Sequence, residues 1–209
     1  MLTLYGTSNS GAAVVEAALA RAGLAYTAVD AASWNPGPGL DELLKVNPLG
    51  QIPTLVLADG TVLTESAAIL IHLGLTAAPG LLLPVDAGSR ARVLRGLVYI
   101  AANCYAAISV IDYPERWCEP CDDAMKERIR AGTRARLHEH WRVFADEFSI
   151  GFDAGSPGAL ELLATVVSKW SGARAYLQAQ RPAFFAQLQR VEQHPDVAAV
   201  FEKHWPAKA

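Results

Sequence analysis

A chain of 209 residues, 52% of them hydrophobic, is long enough for one large domain or two small ones around a packed core. Its 18 lysines and arginines against 21 acids leave a formal net charge of -3 with no basic stripe, which argues against nucleic acid or an anionic membrane as partner and for small molecules. The opening MLTLYGTSNSG has neither the cationic nor the apolar region of a signal peptide, no run of about 18 apolar residues follows, and three cysteines make no disulfide framework, so the expected compartment is the cytoplasm.

In chain order, Leu2 to Tyr5 reads as a short strand, and the turn-forming residues Gly6 to Gly11 lead into a helix from Ala12 to Ala22 closed by Gly23. Tyr26 to Val29 is a second strand. A loop rich in proline and glycine, Ser33 to Gly39, precedes a short helical patch, Leu40 to Val46. Thr54 to Leu57 and Val62 to Leu63 flank Asp59-Gly60, the signature of a tight antiparallel hairpin, and a further helix starts near Glu65. The order β-α-β-α-β-β-α predicts a compact mixed-sheet domain over residues 1–77. Residues 78–87, holding Pro79, Gly80 and Pro84, read as a linker. Residues 88–209 read as all helical, with segments Ser89 to Ile111, Asp122 to Phe148, Ala159 to Trp170, Phe184 to Val191 and Val197 to His204.

The stretch VNPLGQIPTLVLADGTVLTESAAI, Val46 to Ile69, puts Pro53 at the mouth of a strand, where a residue normally supplies an N–H to the ladder. The Ile52-Pro53 bond can take the cis form at modest cost, turning the chain so that the Ile52 backbone N–H and C=O face outward. Such an edge accepts an extended peptide as an added strand. Glu65 and Ser66 then stand where the next helix begins, and the free N–H groups of a helix N-terminus favour a carboxylate. Together these features suit a small acidic peptide, although the same residues would also serve as a plain turn and a helix cap.

Asn47-Pro48-x-Gly50-Gln51-Ile52-Pro53, the Asp59-Gly60 hairpin and Thr64-Glu65-Ser66-x-Ala68-Ile69 resemble the glutathione-binding half of cytosolic glutathione transferases. The resemblance is strong over the first 75 or so residues and looser over the helical remainder. It implies a thioredoxin-like α/β domain followed by an all-α helical bundle. It also implies glutathione as co-substrate, with Ile52 pairing its backbone with the cysteinyl unit, Pro53 in the cis form, Glu65 and Ser66 holding the γ-glutamyl end, and Gln51 as a further contact. No metal is expected. The implied activity is transfer of the glutathione thiolate to a small hydrophobic electrophile, with peroxidase or disulfide-reductase chemistry as a side activity, and the implied assembly is a homodimer. The alternative is a non-catalytic module of the same fold that binds glutathione, another ligand or a protein.

Glutathione transfer needs the thiolate, which a helix N-terminus and a nearby hydrogen-bond donor favour. Family members carry a serine, tyrosine or cysteine at the start of the first helix. Here Ser10 is the first candidate, since Gly11, Ala12 and Ala13 would leave its hydroxyl accessible, and Ser8 is the second; Ser10 is equally suited to capping the helix. The first helix, AAVVEAALARAG, is more apolar than its counterparts and lacks their early basic residue. Gly158-Ala159-Leu160-Glu161 keeps the acid of a family capping box but loses its hydroxyl.

For the second substrate, Tyr99, Asn103 and Tyr105 on the first long helix of the bundle are the candidates, with Tyr113, Trp117 and Trp170 behind them. Trp117-Cys118-Glu119-Pro120-Cys121 looks like a dithiol redox motif, but it lies outside the thioredoxin-like part and reads as an interhelical loop with free cysteines. His138 and His140, two apart, would point to different sides of a helix and make no zinc site.

Overall fold

Residues 1–206 are described by a computed structural model. Strand β1 (Leu2–Gly6), helix α1 (Ala12–Arg21), strand β2 (Tyr26–Asp30), helix α2 (Pro38–Val46), strands β3 (Thr54–Val56) and β4 (Val62–Leu63) and helix α3 (Ser66–Thr76) follow one another as the turn residues predict. The sheet order is β2-β1-β3-β4, with β1 parallel to β2 and antiparallel to β3. Asp59 turns the β3–β4 hairpin by accepting the Thr61 N–H at 2.9 Å, beside Gly60 at φ 88°.

The helical part begins with α4 (Ala87–Tyr99), capped by Asp86, which accepts the Gly88 and Ser89 N–H groups at 3.0 Å. It continues through a π-helical stretch, Ile100–Tyr105, into α5 (Ala106–Asp112), and a 3-10 turn, Pro114–Trp117, leads to the long α6 (Asp123–Phe148). Then come α7 (Ala159–Val167), α8 (Ala173–Gln180), α9 (Pro182–Glu192) and α10 (Ala198–His204). The sequence reading misses α8, whose eight residues show too few turns of periodicity, and it runs α7 on to Trp170. It also needs correction at the continuous helix Ala87–Asp112, which by length and composition alone is apolar enough to cross a membrane. Here its segments pack against α6 and α7.

The larger of two hydrophobic clusters joins the two parts: Leu4, Val14, Leu55 and Ile69 from the sheet and its helices belong to it with Leu97, Trp141, Phe144 and Leu163 from the bundle. The composition of α1 follows from this. Every residue from Ala12 to Leu19 is buried because the helix has α3 on one side and α7 and α10 on others, so no face is left for a polar stripe. Helix α7 is buried along its whole length as well. Its N-terminus is held by Glu161, whose carboxylate accepts the Gly158 N–H at 3.0 Å and the Asp153 N–H at 3.2 Å. Cys118 and Cys121 are free and half-buried in the loop after the 3-10 turn.

Candidate functional site

Between the sheet part and the bundle lies a cleft of about 420 Å³. One wall is built by Gln51, Ile52, Pro53, Thr64, Glu65 and Ser66, and the other by Ala101, Tyr105, Ala106, Ser109 and Tyr113. Ser33 and Trp34, from the tight turn after β2, stand at the rim with Arg116, and Leu163 of α7 forms part of the floor.

The first wall is fixed by a small buried polar network. Asn47 donates from Nδ2 to the Gln51 carbonyl at 3.1 Å and to Thr54 Oγ1 at 3.0 Å, while its Oδ1 accepts the Leu49 N–H at 3.2 Å. Thr54 Oγ1 donates in turn to the Gln51 carbonyl at 2.8 Å, and Gly50 takes a left-handed φ of 61° that its lack of a side chain allows. This accounts for the Asn47-x-x-Gly50 spacing, because the loop must arrive at Pro53 in one conformation. The Ile52-Pro53 bond is cis, as expected, and the Ile52 N–H and C=O take no partner among the described residues. Glu65 sits at φ 63°, a strained region for a residue with a side chain, immediately before α3. That turn leaves Glu65 exposed and puts Ser66, only 7% exposed, in the first turn of the helix.

The other sequence candidates are distributed differently. Ser10 is 5% exposed and absent from the cleft lining; its Oγ donates to the Thr7 carbonyl at 2.6 Å and accepts the Ala12 N–H at 3.2 Å. Ser8 is exposed and also outside the lining. Tyr99 and Asn103 lie off the cleft: the Tyr99 hydroxyl donates to the His140 carbonyl at 3.3 Å, its ring packs on Phe144 and Phe148, and Asn103 donates to the Tyr99 carbonyl at 3.0 Å. The cleft takes the stripe Ala101, Tyr105, Ser109, Tyr113, offset by two residues, and two residues turn a helix by about 200°, to its opposite face. Trp117 is outside the lining, and Trp170 backs the Tyr105 ring at 5.8 Å between centroids.

Tyr105 reaches furthest across. A Cβ placed on Gly11, at the start of α1, would collide with the Tyr105 hydroxyl and lie 3.2 Å from Pro53 Cδ. Burial first, and then the Glu65 charge, push the Tyr105 phenol up to about 12, with the Ser66 hydroxyl pulling the other way. Ser33, Trp34, Ser109 and Arg116 are lining residues that the sequence reading does not single out; the Pro/Gly-rich loop around Trp34 is the one signal that could have drawn attention to it. Arg116 lies over the Tyr113 ring at 4.0 Å.

Residues 12–75 match the family model of the glutathione S-transferase N-terminal domain. The chain is 35% identical over 130 residues to the uncharacterized GST-like protein YncG of Escherichia coli K12, which covers 62% of this chain and 63% of that protein. It is 33% identical over 115 residues to the glutathione S-transferase GstA of Escherichia coli O157:H7, covering 53% of this chain and 56% of that one. Each match therefore spans less than two thirds of the relative's length. A glutathione transferase homolog from Sulfitobacter, solved with bound glutathione, shares the fold with a TM-score of 0.78 at 22% identity, over 97% of this chain and 98% of that one. Residues 12–75 thus match a glutathione S-transferase N-terminal domain, both sequence relatives are GST-like, and the whole chain shares the thioredoxin-like and helical fold of the glutathione transferases.

Proposed function

We propose that the cleft binds glutathione and that the chain transfers its thiolate to a small hydrophobic electrophile. The observation that carries this reading is the unpaired Ile52 backbone beside cis-Pro53, one short hairpin away from Glu65 and Ser66 at the N-terminus of α3. The cysteinyl unit pairs with Ile52 as an added strand, the γ-glutamyl carboxylate takes the α3 N-terminus and the Ser66 hydroxyl, and Glu65 faces the ammonium. Gln51 is a further contact. That path directs the sulfur toward Pro53 and the start of α1. The thiol proton leaves to water, the thiolate attacks the electrophilic carbon, a C–S bond forms, and the leaving group departs with its electron pair. Tyr105, Ala106 and Tyr113 offer the apolar surface against which such an electrophile would lie.

Ser66→Ala is expected to weaken glutathione binding by about 1.5 to 3 kcal/mol, the range for a hydrogen bond to a charged group, as read by calorimetry. A variant that binds like the parent would remove Ser66 from the site. One observation favours a second reading, a non-catalytic glutathione-binding module: the Ser10 proton is already committed to Thr7. Steady-state conjugation with a panel of electrophiles separates the two, since the module would bind glutathione without turnover.

We further infer a homodimer. Val62, Leu75, Val85 and Val98 are all exposed, Val98 at 56%, and only 39% of the most apolar window of Ala87–Asp112 is buried. A monomer mass by light scattering at micromolar concentration would refute it.

A further inference from the structure

We propose that the hydroxyl of Tyr105, delivered from the helical part of the chain, is the hydrogen-bond donor to the sulfur of bound glutathione, in place of a hydroxyl from the first helix. The inference rests on the glutathione site described above.

The first helix has little left to give. A serine hydroxyl has one proton, and that of Ser10 goes to the Thr7 carbonyl at 2.6 Å, in a turn whose Ser10 is buried and outside the cleft lining. The same residue takes two of the leading amides of α1: Ala12 N–H donates to Ser10 Oγ, and Ala13 N–H to the Ser10 carbonyl at 3.2 Å. Ser8 is exposed outside the lining, and Tyr5 is buried against Ala31 and Leu43. The Tyr105 hydroxyl, by contrast, stands over Gly11 with Pro53 Cδ beside it and the Ser66 hydroxyl as its neighbour, so the α1 N-terminus, the cis-proline and a phenol converge where the sulfur is expected.

Packing fixes the aim of this side chain. Tyr105 closes the π-helical stretch, Trp170 backs its ring at 5.8 Å, and Trp205 backs Trp170 at 6.4 Å. The charges around it suit a donor. Glu65 at the start of α3 and Asp112 at the end of α5 both disfavour a phenolate, and Arg116, a cation of the rim, is occupied over the Tyr113 ring. Tyr105 therefore keeps its proton near neutral pH and can share it with a thiolate. It does not act as a base: the thiol proton goes to water, and Tyr105 ends the cycle as it began.

The test follows the ultraviolet absorbance of the glutathione thiolate against pH, on saturated protein, with calorimetry for affinity and steady-state turnover beside it. Tyr105→Phe is expected to bind glutathione within about threefold of the parent, yet to raise the pKa of the bound thiol by about one unit, a tenfold loss of thiolate at a given lower pH. Its kcat should fall about tenfold near neutral pH and recover as pH rises, with KM little changed. Ser10→Ala should leave the bound-thiol pKa where it was. Gly11→Ala, which displaces the hydroxyl instead of deleting it, should reproduce the Tyr105→Phe shift and supports the inference if the phenylalanine variant does not fold. A glutathione-saturated Tyr105→Phe protein with an unshifted thiol overturns the inference and leaves the glutathione site standing. A parent protein that binds no glutathione overturns the site and the inference with it.

Discussion

At the scale of single residues, Gly11 shows how little of a site is written in residue type. Its φ of -61° and ψ of -14° are open to any residue, so nothing in the backbone calls for glycine. Read as sequence, Gly11-Ala12-Ala13 clears space for the Ser10 hydroxyl; in the structure the space goes to the hydroxyl of Tyr105, 94 positions further along. Gly11→Ala should therefore destabilise the protein by about 1 to 3 kcal/mol, as overpacking does, even though alanine at a helical φ is ordinarily neutral or favourable. In a Tyr105→Phe background, with the oxygen gone, the same change should cost less than about 1 kcal/mol. Urea denaturation of the four proteins measures the coupling, and strictly additive effects would mean that the two groups do not meet.

Among the elements, legibility followed the range of the interactions that make them. The strands, the Asp59-Gly60 hairpin and the cis-proline turn all rest on contacts a few residues apart, and each is apparent in the sequence. The first wall of the cleft is local for the same reason: Asn47, Gly50, Pro53, Glu65 and Ser66 fall within one short stretch. The opposite wall was legible only in part, since Tyr105 and Tyr113 line it and Tyr99 and Asn103 do not. Stepping four residues from Tyr99 to Asn103 identifies a real helix face, but which face meets the cleft depends on how α4 docks and on the π-helical stretch, whose wider turn alters the phase from Ile100 onward. Helix α8 escaped notice because eight residues with two buried positions, Ala173 and Leu177, hardly form a pattern. Glu161 is a middle case. The acid of the capping box is visible, but the second backbone amide that it holds, from Asp153, comes from a loop that has no regular signal.

Over the whole molecule, the two ends of the chain are clamped together through one buried carboxylate. Glu16 of α1 accepts hydrogen bonds from the Tyr26 hydroxyl at 3.0 Å and from Lys203 Nζ at 2.6 Å, and lies 3.1 Å from His204 Nε2 of α10. Burial by itself would raise the Glu16 carboxyl, but hydrogen bonds and charge from His204 and Lys203 outweigh it and hold the group at about 2, against an ordinary 4.5. Because the folded value is the lower one, the stabilisation is complete above pH 4.5 and is lost as the pH falls toward 2. The size is roughly 3 kcal/mol, at 1.36 kcal/mol per pKa unit. Glu16→Gln removes the titrating group while keeping its shape, so at neutral pH the parent should be more stable than the variant by at least about that amount, since the variant also leaves Lys203 and His204 facing a neutral amide. That difference should shrink by roughly 3 kcal/mol as the pH is lowered through the window. Thermal melts of the two proteins at a series of pH values provide the comparison. A difference that stays constant from pH 7 to pH 2 would show that Glu16 does not titrate with folding, and that α10 is held on α1 by its apolar contacts alone.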